Sequence, residues 1–298
     1  MSNYPFLSQL EAELFQGRDV YAVFGNPIAH SKSPLIHEEF ARNSKQALVY
    51  VRIQPQPDQF AKMLIAFFKM GGKGLNITVP FKLDALSLCQ QLTPRAKLAG
   101  AVNTVWQDNG QLIGDNTDGV GLVRDLRSQG IDLKNQRILI LGAGGASRGI
   151  IGPILQAEPD SLIVANRTVH KAQELVVSFQ DLANTLAVDL EAWPMERLDQ
   201  VNQVHFDLVI NASAAGLDQQ SPLSDLAANQ VFHSSCFAYD LLYGRVTPFM
   251  QQALQRGCRI SDGLGMLVEQ AAEAFMLWRK VDLQSLDTRS VLASLRQV

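Results

Sequence analysis

The sequence predicts an α/β protein built as two domains. Short apolar stretches of strand length alternate with amphipathic helical stretches along nearly the whole chain. A glycine-rich turn, Gly142-Ala-Gly-Gly-Ala-Ser147, joins one such strand to a helix near mid-chain. The length, 298 residues, suits one large domain or two ordinary ones. The natural division places residues 1–118, with a returning segment 263–298, in a first domain and 119–262 in a second.

Residues 1–18 carry Leu7, Leu10 and Leu14 at helical spacing and predict a short N-terminal helix. Asp19 to Gly25 reads as the first strand, closed by Asn26-Pro27. Pro34 suits a first helical position with Ser33 as its cap, and the helix runs to about Asn43. A strand from Leu48 to Ile53, a helix from Asp58 to Met70 and a strand from Gly74 to Val79 follow. Pro80 ends that strand and a helix opens near Phe81-Lys82. Ala101–Gln107 and Leu112–Asp115 flank Asp108-Asn-Gly110, a hairpin signal. Asn116-Thr-Asp-Gly119 opens a helix over 118–129. The second domain then reads as strand 137–141, helix 145–157, strand 162–165, helix 169–179, and strands 185–188, 208–210 and 236–240. Helix 248–256 and strand 258–260 complete it, and the glycine turn Asp262–Gly265, a mostly apolar helix 266–279 and a peripheral helix 285–295 follow.

Composition excludes several classes. A net charge of −3 gives no electrostatic reason to bind nucleic acid or a membrane surface. No apolar run reaches membrane-spanning length, and Met1–Phe6 lacks the pattern of a signal peptide. Cys89, Cys236 and Cys258 are scattered and odd in number, which fits a reducing compartment, and the five histidines show no metal-ligand spacing. The expectation is a cytoplasmic enzyme of small molecules, monomer or homodimer, with no metal.

Strand, glycine turn, helix is the first unit of a dinucleotide-binding fold. Glycines let the backbone approach a pyrophosphate, and the helix N-terminus aims free N–H groups at it. Gly142, Ala143, Gly144, Gly145 and Ala146 are therefore candidate cofactor residues, with Ser147 where the third glycine of the usual motif stands. An acid at the end of the next strand would read the free ribose hydroxyl of NAD. This chain has Asn166-Arg167-Thr168 there, with Lys171 beyond, a set suited to the 2′-phosphate of NADP. The plainer alternative makes Thr168 a helix cap and Arg167 a solvated charge.

The first domain gathers hydrogen-bonding residues at strand ends: Ser31, Ser33, Asn76, Thr78, Asn103, Thr104 and Asp115–Asp118. Asn76 and Thr78 alternate on one face of a strand that should be apolar. Polar groups there need water or a hydroxyl-rich ligand. Lys82 is the cation of the set, and beside the Asp118 carboxylate it can relay a proton to a substrate oxygen. Taken singly, Lys82 reads as a surface lysine and Asp118 as a helix cap.

With these residues the chain resembles the shikimate dehydrogenase family over about 19–280. The resemblance rests on Gly25-Asn-Pro-Ile-Ala-His-Ser-Lys-Ser-Pro34, Asn76-Ile-Thr-Val-Pro-Phe-Lys82, Gly100-Ala-Val-Asn-Thr104 and Gly114-Asp-Asn-Thr-Asp-Gly119. It continues through the glycine turn and Asn166-Arg-Thr168 to Tyr239-Asp240, Tyr243, Thr247-Pro-Phe249 and Asp262–Val268 with Gln270. It implies an α/β substrate domain and a Rossmann-type domain, with a C-terminal helix returning to the first. It implies reversible, NADP-linked reduction of 3-dehydroshikimate to shikimate in aromatic amino-acid (chorismate) biosynthesis. By motif position, Ser31, Ser33 and Tyr243 would hold the substrate carboxylate, hydroxyl donors sufficing without an arginine. Asn76, Thr78, Asn103, Asp118 and Gln270 would hold ring hydroxyls, with Lys82 and Asp118 as acid/base pair. Leu241 and Gly263 would line the nicotinamide. Asn211-Ala-Ser-Ala-Ala-Gly-Leu217 and Glu38 depart from the family pattern. A quinate/shikimate enzyme of broader range, or a metabolite sensor without catalysis, is the alternative.

Overall fold

The computed structural model describes residues 6–7, 11–201, 204–213 and 215–297. The chain divides into two compact units, Met1–Gly121 with Leu267–Val298, and Leu122–Met266.

The first unit holds β1 (Phe6–Leu7), β2 (Val20–Phe24), α1 (Ser33–Asn43), β3 (Val49–Ile53), α2 (Phe60–Lys69) and β4 (Gly74–Ile77). It continues with α3 (Lys82–Leu88), β5 (Gln91–Leu92), α4 (Pro94–Ala99), β6 (Thr104–Asp108) and β7 (Gln111–Asp115). Helix α5 (Asp118–Ser128) carries the chain onward. Seven strands form one sheet in the order β1-β3-β2-β4-β6-β7-β5. β1, β3, β2 and β4 run parallel; β6 is antiparallel to both β4 and β7. Every residue of β2 is buried, as a parallel strand covered on both faces requires. One core packs Phe24, Ile53, Leu75 and Ile77 against Phe60, Leu64, Phe67 and Phe68 of α2, which recur at helical spacing. The hairpin turns through Asn109 (φ 47°) and Gly110 (φ 78°), both left-handed as a two-residue hairpin turn demands.

The second unit holds β8 (Arg137–Leu141), α6 (Gly145–Leu155), β9 (Ser161–Asn166), α7 (Val169–Leu186), β10 (Asp189–Pro194) and β11 (Leu208–Asn211). It continues with α8 (Asp225–Val231), β12 (Phe237–Asp240), α9 (Pro248–Gln255) and β13 (Arg259–Asp262). The chain then enters α10 (Leu264–Arg279), which leads to α11 (Thr288–Leu295). Its six strands are all parallel in the order β10-β9-β8-β11-β12-β13. The winding reverses between β8 and β11, so the loops after those two strands diverge and leave a crevice at their carboxyl ends. The C-terminal segment is tied into the first unit: Arg279 pairs with Asp19 at 2.6 Å, Asn43 donates to the Leu286 carbonyl and Lys32 to that of Leu295.

Several sequence expectations change. Ser33 does not cap α1: Lys32 holds the cap position, and Ser33 and Pro34 are the first two helical residues. Phe6–Leu7 is a strand on β3 and Ala12–Phe15 a single 3-10 turn, while Leu10 lies outside the described residues. The open edge of β3 offers backbone partners that one isolated helical turn cannot match. The stretch 185–188 is not a strand: α7 extends to Leu186 and ends on left-handed Ala187, and the strand is Asp189–Pro194. Leu175, Val176, Phe179 and Ala183 keep helical spacing up to that point, and a short apolar run fits either element. Strand β6 begins only at Thr104, because the Val102 and Asn103 N–H groups bond to Lys82 and Asp115 carbonyls. The elements β5, α4 and α8 carry too few residues for a periodic signal, although Thr93 and Ser224 cap α4 and α8 with their side chains.

His37 of α1 is wholly buried in an aromatic box. It stacks on Tyr50 at 4.2 Å, with Trp278 at 5.4 Å and Phe275 at 5.9 Å. Neither ring nitrogen has a hydrogen-bond partner. Burial pushes its pKa down to about 3, opposed only in part by Asn76 beside it. The unfolded chain takes up this proton near pH 6.5 and the folded chain does not, so stability falls as pH drops from there towards 3. At pH 5 the loss from this group is about 2 kcal/mol. His37→Phe should shrink the fall in denaturant midpoint between pH 7 and pH 5; an unchanged pH dependence would show that the ring titrates elsewhere.

Candidate active site and cofactor site

In the first unit Asn76, Lys82, Asn103, Thr104, Asn116, Thr117, Asp118 and Gln270 form one connected network. Asn103 is its centre. Its amide nitrogen donates to Asp118 Oδ1 at 2.9 Å, Thr117 Oγ1 at 3.0 Å and Gln270 Oε1 at 3.4 Å. Its amide oxygen accepts from the Thr117 N–H and the Thr104 hydroxyl, both at 2.9 Å. The other oxygen of Asp118 lies 2.6 Å from Lys82 Nζ, with the lysine side chain 15% exposed and the carboxylate 6%. Lys82 thus stays partly exposed beside a buried carboxylate. It stands at the first position of α3, and Asp118 at the first position of α5. The side-chain amide of Asn116 bonds back to Ala101, and its oxygen accepts the Asp118 N–H at 3.2 Å.

Asn76 joins this network from β4. Its amide donates to Thr104 Oγ1 at 3.1 Å, and its oxygen accepts the Tyr50 hydroxyl at 2.7 Å. Burial lifts the Tyr50 pKa well above that of a free phenol, the Ser33 hydroxyl opposing, so it stays a donor. Ser31 and Ser33 are buried, with hydroxyls 3.1 Å apart. Arg52 lies directly behind them: Nε and Nη2 both donate to the Ser31 carbonyl, at 2.9 and 2.6 Å. The serines are therefore backed by a guanidinium that sequence reasoning did not place. A charged residue inside the otherwise apolar Val49-Tyr-Val-Arg-Ile53, on the same face as Tyr50, was the available signal. Thr78 is half-buried one residue beyond β4, so the strand alternation with Asn76 does not extend to it.

In the second unit the glycine turn leaves β8 at its switch-point end. Gly142 has φ +108°, and a Cβ there would meet the Ser213 backbone at 3.1 Å. Only glycine meets both constraints. A Cβ on Gly144 or Gly145 would meet nothing within 4 Å, which leaves room beside the first turn of α6. The N–H groups of that turn have no carbonyl one turn earlier to bond, and they with the positive helix end suit a pyrophosphate. Ser147, in place of a third glycine, is buried and donates to the Gly142 carbonyl at 2.8 Å, closing the turn from within. Ala143 and Ala146 complete the loop and are half-buried.

Past β9, the Asn166 amide donates to the Thr168 carbonyl at 2.9 Å and shapes the turn. Thr168 stands at the cap position of α7 but its side chain makes no capping bond, so capping does not account for its hydroxyl. Arg167, Thr168 and Lys171 are exposed, and among the described residues neither cation enters an ion pair. These groups fit a phosphate ester. At the ends of β11 and β12, Asp240 is buried and accepts from Thr247, Asn211 and the Leu242 N–H. The Leu241 N–H bonds to Asn211, and Gly263 packs so closely on the Leu241 carbonyl that any side chain would strike it. Tyr243 lies in the same loop, half-buried.

Known proteins match the chain in both units. Residues 23–105 match the model of the shikimate dehydrogenase substrate binding domain, and 125–218 that of shikimate / quinate 5-dehydrogenase. The shikimate dehydrogenase (NADP(+)) of Aeromonas salmonicida is 50% identical over 266 residues, covering 88% of this chain and 93% of that protein. That of Cupriavidus pinatubonensis is 45% identical over 288 residues, 95% and 96% of the two chains. The crystal structure of the Thermus thermophilus shikimate 5-dehydrogenase, in complex with NADP(H) and shikimate, superposes with a TM-score of 0.76. It is 31% identical and covers 92% of this chain and 99% of that one.

Gly142→Ala puts a side chain against Ser213 and strains a left-handed backbone position. Its cofactor affinity, read by quenching of protein fluorescence with NADP, should drop tenfold or more while the fold persists. Unchanged affinity would mean that this turn does not carry the pyrophosphate.

Proposed function

The chain belongs to the shikimate dehydrogenase family, and from that footing we propose that it interconverts 3-dehydroshikimate and shikimate with NADP, a step of aromatic amino-acid biosynthesis. The single observation that carries the chemistry is the Lys82–Asp118 pair at 2.6 Å, set among amide and hydroxyl groups suited to a polyol ring. The unit Met1–Gly121 with Leu267–Val298 binds the substrate, and Leu122–Met266 binds the cofactor.

The nicotinamide of NADP, when bound, supplies the hydride acceptor or donor. The protein supplies everything else. In the direction of reduction, Lys82 Nζ gives a proton to the ketone oxygen as the carbon becomes an alcohol. In oxidation the alcohol proton returns to the Lys82–Asp118 pair. Asp118 holds Lys82 in place and, with Asn103, Gln270, Asn76 and Thr78, takes ring hydroxyls. These neutral amides and hydroxyls donate and accept in fixed directions, so they select a polyol over an apolar ring. Ser31 and Ser33 take the carboxylate, a role that motif position in the family also gives Tyr243. The Ser31–Ser33 loop is stiffened by Arg52, and the guanidinium adds positive potential beneath an anionic group. Gly142 to Ala146 take the pyrophosphate, Asn166, Arg167, Thr168 and Lys171 the ribose phosphate, and Leu241 and Gly263 line the nicotinamide side.

NADPH formation followed at 340 nm, with shikimate and quinate each tested against NADP and NAD, tests the assignment. Turnover confined to shikimate with NADP is expected. Comparable turnover of quinate would move the chain to the broader-range enzyme, and no turnover with any pair would refute catalysis. Lys82→Ala should stay folded and lose about 10²–10⁴ in kcat; near-normal turnover in it would remove the proposed acid/base role. Arg167→Ala should raise the KM for NADP tenfold or more and leave that for NAD unchanged, because only NADP offers a 2′-phosphate to the guanidinium. An equal change for both cofactors would assign Arg167 elsewhere.

A further inference from the structure

Asp118 is reached by two residues of irregular chain after β7 ends at Asp115, so its position depends on how the chain leaves that strand. Asp115 itself controls the exit. Its carboxylate is fully buried and accepts the Asn116 N–H at 2.7 Å and the Thr93 hydroxyl at 2.5 Å. Arg95 of α4 grips it from the side with two N–H groups, Nε at 3.1 Å and Nη2 at 2.5 Å. The main-chain carbonyl of Asp115 accepts the Asn103 N–H at 3.0 Å. One residue thus sets the backbone on both sides of the Asn103–Asp118 hydrogen bond.

The guanidinium reaches further. Arg95 Nη1 donates to Glu273 Oε1 of α10 at 2.7 Å. Glu273 lies three residues after Gln270, on the same face of that helix. Gln270 meets Asn103 and Thr117 only at 3.4 Å, contacts too long to fix the helix by themselves. Asn103 directly precedes β6, Asp118 opens α5 and Gln270 lies in α10, and Arg95 joins the end of β7 to α10. A planar guanidinium bound at several N–H groups holds direction as well as distance, which an ammonium cannot.

We propose that Arg95, acting through Asp115 and Glu273, is a positioning residue that holds Asn103, Asp118 and Gln270 at the spacing the substrate ring requires. This inference rests on the proposed reaction and extends it beyond the residues that touch substrate. Misplacing reactive groups by about 1 Å costs about 10²-fold in rate, so the effect is measurable.

The experiment separates positioning from simple stability. Arg95→Met leaves a buried carboxylate uncompensated and should lower Tm as well as activity. The double variant Arg95→Met with Asp115→Asn removes both charges and should recover most of the lost Tm. It should nonetheless keep kcat/KM for shikimate at least tenfold below wild type, with the KM for NADP within twofold. Arg95→Lys keeps the charge and should share the tenfold loss. Recovery of activity together with Tm in the double variant, or full activity in Arg95→Lys, would overturn the proposal. Either outcome with an active wild-type chain refutes this inference alone; an inactive wild-type chain refutes the reaction and this inference with it.

Discussion

The buried amide of Asn103 is the constraint around which the first unit is arranged. An interior amide left without partners costs about 1–3 kcal/mol for each group, and Asn103 has two groups to satisfy. The fold meets both with Thr104, Thr117, Asp118 and Gln270. Meeting them requires the β6–β7 hairpin, which returns the chain so that Asn103 faces Thr117 and Asp118. Helix α10 adds the longer Gln270 contact at 3.4 Å. A network satisfied at every member admits one arrangement, whereas an apolar core of similar volume would tolerate several. The site inherits that uniqueness.

Much of this was legible in the residues because the informative motifs are local. Gly142 to Ser147 announce their turn by spacing alone, and Asn109-Gly110 announce theirs. Lys82 and Asp118 stand out because each follows a strand and opens a helix. Tyr50, Arg52 and the Arg95–Glu273 pair did not stand out. Arg52 reaches Ser31 only because β3 lies parallel to β2 with Arg52 opposite Val23, a register no short stretch encodes. Arg95 and Glu273 are 178 residues apart, and nothing near either names the other. The misread stretch at 185–188 is the converse case. There the local pattern was ambiguous, and packing of Leu175, Phe179 and Ala183 decided it.

The second unit works by different means. The residues proposed to take the cofactor are mostly loop backbone and glycine, held where parallel strands end. Asp240 is a buried carboxylate of this unit, its pKa raised by burial and pulled back by Thr247, the Leu242 N–H and Asn211. Those bonds shape the loop that carries Leu241 and Tyr243. Ordered loops on a rigid sheet suit a ligand whose recognition lies in its phosphates and planar ring.

The first unit is discontinuous: residues 1–121 and 267–298 build it, and the whole of 122–266 intervenes. Proteins are made from the amino end, so the ribosome delivers β2, β3 and β4 long before the helix that packs on them. Until α10 and α11 emerge, Asp19 lacks Arg279, His37 lacks Phe275 and Trp278, and Asn103 lacks Gln270. The second unit is contiguous and complete by then. In the nascent chain it is the later-made half that can finish folding first, and the proposed substrate site is the last part of the protein to exist.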